Sequence, residues 1–300
     1  MQPPESHATR DLAADIAASL VDDVSYLVSP PDICVKVFEL AESDDASARD
    51  IGEVISRDPS LTARLLRLVN SSFYNFARRI DTVSRAVTIV GIRELYSLVL
   101  AVSAIKSFSN LSNNLVNIDT FWRHGIYTGL IARILARKCH ILHPERLFVA
   151  GLLHDVGSLV LYAKLPEQMR DLLLVCDNDE GILHQAELAE LGFTHADLGG
   201  ALAHSWNLPE PLQEAITYHH LPSYSMGSEM ETAIVHLADV LANRSELGAF
   251  CEQGDAESGR LDESVWEILG LDPDQFDAFE VIGEAGLQFS ETAGLLMARA

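Results

Sequence analysis

Seven side chains between positions 124 and 239 could bind divalent metal: His124, the doublet His154-Asp155, His195, the doublet His219-His220, and Asp239. Neutral imidazoles and carboxylates are the ligands that first-row divalent metals prefer, and seven of them suffice for a two-metal centre bridged by one carboxylate. In a chain with 11 histidines among 300 residues, an isolated histidine is ordinarily a surface residue or a satisfied core group. The doublets and their settings argue otherwise. His154-Asp155 lies inside the apolar stretch 147–162, read as one buried helix. An unpaired imidazole and carboxylate there would each cost roughly several kcal/mol, which a bound cation offsets. Asp239 is likewise a carboxylate on the apolar run 232–242. His236, three residues earlier, would lie near the same face and is read as a supporting or merely packed group outside the ligand set.

The elements that must carry these groups are helical almost throughout. His124 falls on a helix running to about Arg137; Pro144 opens the next helix and Pro166 another. His195 sits at a helix start capped by Thr194, with Gly199-Gly200 one turn on to admit a neighbouring backbone. Pro209 opens the helix that delivers His219 and His220, and Thr232 the one bearing Asp239. Consecutive helical residues point about 100° apart, so the two histidines can share a metal only near a helix end, which Leu221-Pro222 supplies.

Before this region comes a small bundle. Val35, Val37, Phe38, Leu40 and Ala41 form one apolar face, Ser47 to Asp50 a capping box opening 51–57, and Asp58-Pro59 the start of a third helix. That helix is expected to point Leu61, Leu65, Leu68 and Val69 inward and Arg64 and Arg67 outward. Two more helices run from Thr82 to Phe108 and meet at Gly91. The polar stretch 109–117 is the expected boundary, and beyond Asn243 helices are expected over 264–269 and 273–285. The expected division is an N-terminal extension (1–20), a helical part (21–110), a metal-site helical part (118–245) and a C-terminal helical extension (246–300).

Composition narrows the function classes. With 48% hydrophobic residues the chain can bury a large core. A formal charge of −23 opposes association with a nucleic-acid backbone or an anionic membrane, so neither is expected as a partner. Arg57, Arg64, Arg67, Arg78, Arg79, Arg85 and Arg93 concentrate positive charge in the first third, read mainly as solvated faces and ion pairs. Cys34, Cys139, Cys176 and Cys251 form no C-x-x-C pair, the N-terminus has no signal-like apolar segment, and 95–105 is too short to span a bilayer. A cytoplasmic location is expected.

At this level the pattern resembles the HD superfamily of metal-dependent phosphohydrolases, and within it the HDOD family. Phe121-Trp-Arg-His124, His154-Asp155 and Asp239 match the HD signature; His195 in Thr194-His-Ala-Asp-Leu-Gly199 and the pair in Tyr218-His-His220 match the extra histidines of the HD-GYP branch. Leu27-Val-Ser-Pro-Pro-Asp32, the run Ile55 to Ser72 and the run Ile80 to Gly91 are similar to the N-terminal part of HDOD proteins. The similarity covers roughly residues 20 to 245. It implies an all-α, HD-like helical bundle with an N-terminal helical subdomain.

It also implies one or two divalent transition-metal ions, iron, manganese, zinc or nickel. Asp155 would bridge them, with His124, His154 and Asp239 on the first and His195, His219 and His220 on the second. Two departures from the catalytic relatives stand out. Ser158 occupies the position where many HD-GYP phosphodiesterases carry a lysine, and Leu221-Pro-Ser-Tyr-Ser-Met226 replaces their Gly-Tyr-Pro loop. The leading expectation is therefore a bacterial signal-transduction protein acting through a protein partner. The alternative is a metal-dependent phosphohydrolase, with Asp155 as its catalytic residue and a nucleotide or cyclic dinucleotide as its ligand. A third reading, weaker, is a di-iron centre that binds oxygen or runs redox chemistry.

Overall fold

The computed structural model describes residues 13–21, 32–41, 43, 45–71, 74, 76–108, 115–176, 180–248 and 261–297. Among these no β-strand occurs and the architecture is all-α. The first helix, α1 (13–21), turns Ala13, Ala17 and Val21 inward at four-residue spacing. α2 (Asp32–Ala41), α3 (Ala48–Ile55), α4 (Pro59–Val69), α5 (Val83–Val90) and α6 (Ile92–Phe108) follow. Local signals set their ends: the Ser47–Asp50 capping box opens α3, Asp58 accepts from the Leu61 N–H ahead of Pro59, Thr82 caps α5, and Gly91 at φ 100° turns α5 into α6. α6 is buried from Leu95 to Ile105 and again at Phe108.

Two expectations fail in this region. α2 buries Cys34 and Val37, while Val35 stays 43% exposed. Arg64 points inward and is buried, its guanidinium near the Leu296 carbonyl at the far end of the chain. The expected boundary falls largely on residues 109–114, outside the described residues.

The remaining helices are α7 (Ile118–Lys138), α8 (Glu145–Leu153), α9 (Val156–Lys164), α10 (Pro166–Val175), α11 (Glu180–Leu191), α12 (His195–Ser205), α13 (Glu210–Thr217), α14 (Glu229–Asn243), α15 (Ser264–Leu269) and α16 (Ala278–Leu296), with a short 3-10 turn at Pro222–Tyr224. α14 starts a turn earlier than Thr232. α16 begins after Asp277, which caps Glu280 N–H, rather than at Pro273, and it runs past position 285. α16 lies along α7: the Tyr127 hydroxyl donates to the Ile282 carbonyl at 2.8 Å, and Tyr127 and Phe289 meet edge to face.

The apolar run Glu145–Lys164 has the length and composition of a membrane span, yet 89% of its apolar window is buried inside the fold. It is two helices, broken at His154-Asp155, rather than the single helix expected. Glycines let the site-bearing helices touch. A Cβ on Gly151 of α8 would stand 2.8 Å from Gly129 Cα of α7, and one on Gly157 of α9 would stand 2.1 Å from the His195 carbonyl oxygen at the start of α12. Backbones approach this closely only where side chains are absent.

Candidate metal centre

All seven residues come together from five places in the chain. His124 lies in mid-α7, His154 and Asp155 form the break between α8 and α9, and His195 is the first residue of α12. His219 and His220 occupy the turn after α13, and Asp239 lies on α14. The α12 start is fixed by the Thr194–Asp197 capping box. Asp155 stands at the N-cap of α9 but makes no side-chain cap bond, which leaves its carboxylate for the interior.

That carboxylate divides the cluster in two. Oδ2 lies 3.1 Å from His154 Nε2 and 3.7 Å from His124 Nε2, whereas Oδ1 lies 3.4 Å from His195 Nε2 and 3.5 Å from His219 Nε2. Asp239 Oδ1 joins the first group, 3.2 Å from His124 Nε2 and 3.5 Å from His154 Nε2. His220 joins the second, its Nε2 2.9 Å from that of His195. Donor atoms of His124, His154 and Asp155, and of Asp155, His195, His219 and His220, form two sets each compact enough to hold an ion.

The far nitrogens decide what the near ones can be. His124 Nδ1 faces the Gly248 carbonyl at 2.6 Å, His154 Nδ1 that of Gly151 at 2.7 Å, and His219 Nδ1 that of Ile216 at 2.7 Å. His195 Nδ1 faces a carboxylate oxygen of Glu187 at 2.6 Å. Each Nδ1 must donate, so each neutral ring turns a bare Nε2 lone pair inward. Lone pairs of His124 and His154 then meet at 3.3 Å, and the buried His219 Nε2 has no hydrogen-bond partner. Convergent lone pairs with two carboxylates are stabilised by a cation at their centre, so the residues present fit a metal.

Burial alone would depress His154, but Asp155 and Asp239 outweigh it and hold its pKa well above the ordinary imidazole value. Burial would raise Asp155 and Asp239; the histidines around them reverse this and hold both well below the carboxylate range. Burial lowers His219, and burial with the neighbouring His219, His184 and His195 lowers His220 further. The carboxylates stay ionised and His219 and His220 neutral, as metal ligation requires, whereas His154 holds a proton that a bound ion would displace.

The supporting groups were mostly not anticipated. Asn243 donates to Asp239 Oδ1 at 3.0 Å, Glu187 holds His195, and His184 packs on His220 with ring centroids 4.6 Å apart. His236 keeps the subsidiary place expected: its Nδ1 donates to the His219 carbonyl at 2.6 Å, and its Nε2 accepts from the Asp262 N–H. His184 and His220 are half-buried while the other six members of the expected set are buried, so the centre meets solvent at their end. Ser158 is buried on the first turn of α9.

Comparison with known proteins yields three kinds of match. The HDOD domain family model matches residues 27–222. An uncharacterized protein of Treponema pallidum (strain Nichols) is 30% identical over 207 residues, 68% of this chain but 40% of that protein, so the chain spans well under half of its relative. Similar solved structures include an HDOD domain protein of unknown function from Geobacter sulfurreducens, with TM-score 0.73, 24% identity and coverage of 96% of this chain and 98% of that one. Another, from Shewanella amazonensis SB2B and described as a candidate phosphohydrolase, has TM-score 0.69, 22% identity and coverage of 93% and 98%. A third, from Marinobacter aquaeolei VT8 and described as a candidate signal transduction protein, has TM-score 0.70, 22% identity and coverage of 98% and 67%. At these identities the structural likeness is one of fold.

Proposed function

The chain belongs to the HDOD domain family, and on that premise we propose that it is a regulatory signal-transduction protein built around a binuclear His/Asp metal centre. The observation that carries the metal reading is Asp155, whose two oxygens face two separate imidazole groups in the manner of a bridging ligand. His124, His154 and Asp239 would hold the first ion and His195, His219 and His220 the second. The ions would be divalent iron, manganese, zinc or nickel.

The regulatory reading is supported by what surrounds the centre. Ser158 offers no cation to a substrate phosphate where a lysine would, and Leu221 to Met226 form a short 3-10 turn and bend instead of a Gly-Tyr-Pro loop. The centre then braces helices α7 to α14, and a protein partner reads the N-terminal helical surface. A cytoplasmic setting is supported by Cys34 and Cys139, which form no disulfide among the described residues.

A second reading, a metal-dependent phosphohydrolase acting on a nucleotide or cyclic dinucleotide, is favoured by the opening at His184 and His220. A bound divalent ion would supply Lewis-acid polarisation of a phosphoryl oxygen and an acidified water. The chain's own part would be to keep Asp155 ionised, hold the imidazoles in the Nε2-ligating tautomer, and exclude bulk water from the buried side. The two readings separate on one pair of assays. Metal-dependent cleavage of phosphodiester reporters that disappears in Asp155→Ala supports the enzyme, whereas no cleavage together with a partner that co-purifies with both forms supports the regulator.

A further inference from the structure

We propose that Glu187 is a positioning residue that governs occupancy of the second metal position, an inference that rests on the binuclear reading above. Glu187 is fully buried on α11, and one carboxylate oxygen accepts both the backbone N–H of His195 at 2.8 Å and its Nδ1–H at 2.6 Å. The same oxygen thus fixes the first residue of α12 and the rotation of its ring. Its other oxygen, Oε1, is buried with no hydrogen-bond partner. The first position is braced differently: His124 and His154 donate to the backbone carbonyls of Gly248 and Gly151, and the neutral amide of Asn243 donates to Asp239.

Charge explains the difference. The first position has Asp239 in addition to a share of Asp155, so a divalent ion there meets nearly its full countercharge from its own ligands. The second has three neutral imidazoles and only the other share of Asp155. A buried carboxylate that lacks a second partner is costly unless positive charge stands nearby, and a cation bound through His195 provides it. Glu187 in turn makes the His195 imidazole a more basic ligand, as carboxylates behind metal-bound histidines do. The two positions are therefore unequal: the first fills on its own ligands, and the second depends on a group that never touches the ion.

Cobalt(II) titration of metal-stripped protein, followed by visible absorption and by bound metal per chain, tests this. His220→Ala identifies the step belonging to the second position. Glu187→Gln, which keeps an acceptor for His195 but removes the charge, is expected to leave the first step unchanged and weaken the second about 10- to 100-fold. Glu187→Asp keeps the charge one methylene further back and is expected to retain more of the second step. Should the Gln variant not fold, the Asp variant carries the test by the same criterion, selective weakening of the second step. Equal affinity in wild type and variant, or equal weakening of both steps, overturns the proposal. A wild-type protein that binds no second cobalt would instead refute the binuclear reading itself.

Discussion

His154 Nε2 and Asp155 Oδ2 lie 3.1 Å apart although the two residues are consecutive, because α8 ends at Leu153 and α9 begins at Val156 and the pair occupies the break between them. On an unbroken helix the two side chains would diverge by about 100°. The break lets both enter one cluster, with His154 on one side of the carboxylate and His195 on the other.

Removing that carboxylate should therefore empty both positions, not one. Asp155→Asn is expected to reduce bound metal from about two equivalents to well below one, whereas Asp239→Asn should spare the second position. Metal per chain after purification checks this, with far-UV circular dichroism confirming that both variants keep their helices.

The glycine seam should be as demanding as the ligands. A Cβ on Gly157 would stand 2.1 Å from the His195 carbonyl and 2.6 Å from Gly199 N, both backbone atoms that cannot swing aside. Gly157→Ala is expected to destabilise the fold by about 1–3 kcal/mol, the usual overpacking range, and to weaken metal binding by separating Asp155 from His195. Gly283 on α16 has nothing within 4 Å of such a Cβ, so Gly283→Ala should instead stabilise by about 1 kcal/mol through helix propensity. Urea denaturation of the two variants reads the contrast.

Stability should also depend on pH through Glu94, remote in sequence from the ligands. Its Oε1 is buried, and burial followed by the neighbouring Glu145 pushes its pKa up to about 8, against smaller lowering by Tyr74 and Arg146. A carboxyl whose folded pKa is raised stabilises the fold fully below its unfolded value and loses that contribution as pH climbs through the folded value. Unfolding free energy should thus decline between about pH 4.5 and pH 8. Glu94→Gln should flatten that decline and be the more stable protein at pH 9, by on the order of a few kcal/mol. Denaturation midpoints at pH 5, 7 and 9 measure it; a wild-type profile unchanged by the substitution would remove Glu94 as the cause.

Much of this was legible in the sequence because the signals were local. Ser47, Asp58, Thr82 and Thr194 cap the helices they announce, Gly91 makes its turn, and His154-Asp155 and Asp239 stand out as polar groups in apolar runs. The failures are tertiary. Arg64 looked solvent-facing because a group it meets when buried, the Leu296 carbonyl, lies 232 positions away. The α8–α9 break carries no proline, so an apolar run read as one helix. Glu187 sits four residues after buried Leu183 and four before partly buried Leu191, a core position on α11. That spacing was the available signal, but an acidic residue on an amphipathic helix is ordinarily solvated.

The central claim, a two-ion centre bridged by Asp155, is tested most directly by elemental analysis of protein purified without chelators or a histidine tag. The account predicts about two transition-metal equivalents per chain, lost together in Asp155→Asn. A folded wild-type protein that carries no metal and takes up none on dialysis against divalent iron, manganese, zinc or nickel would contradict it.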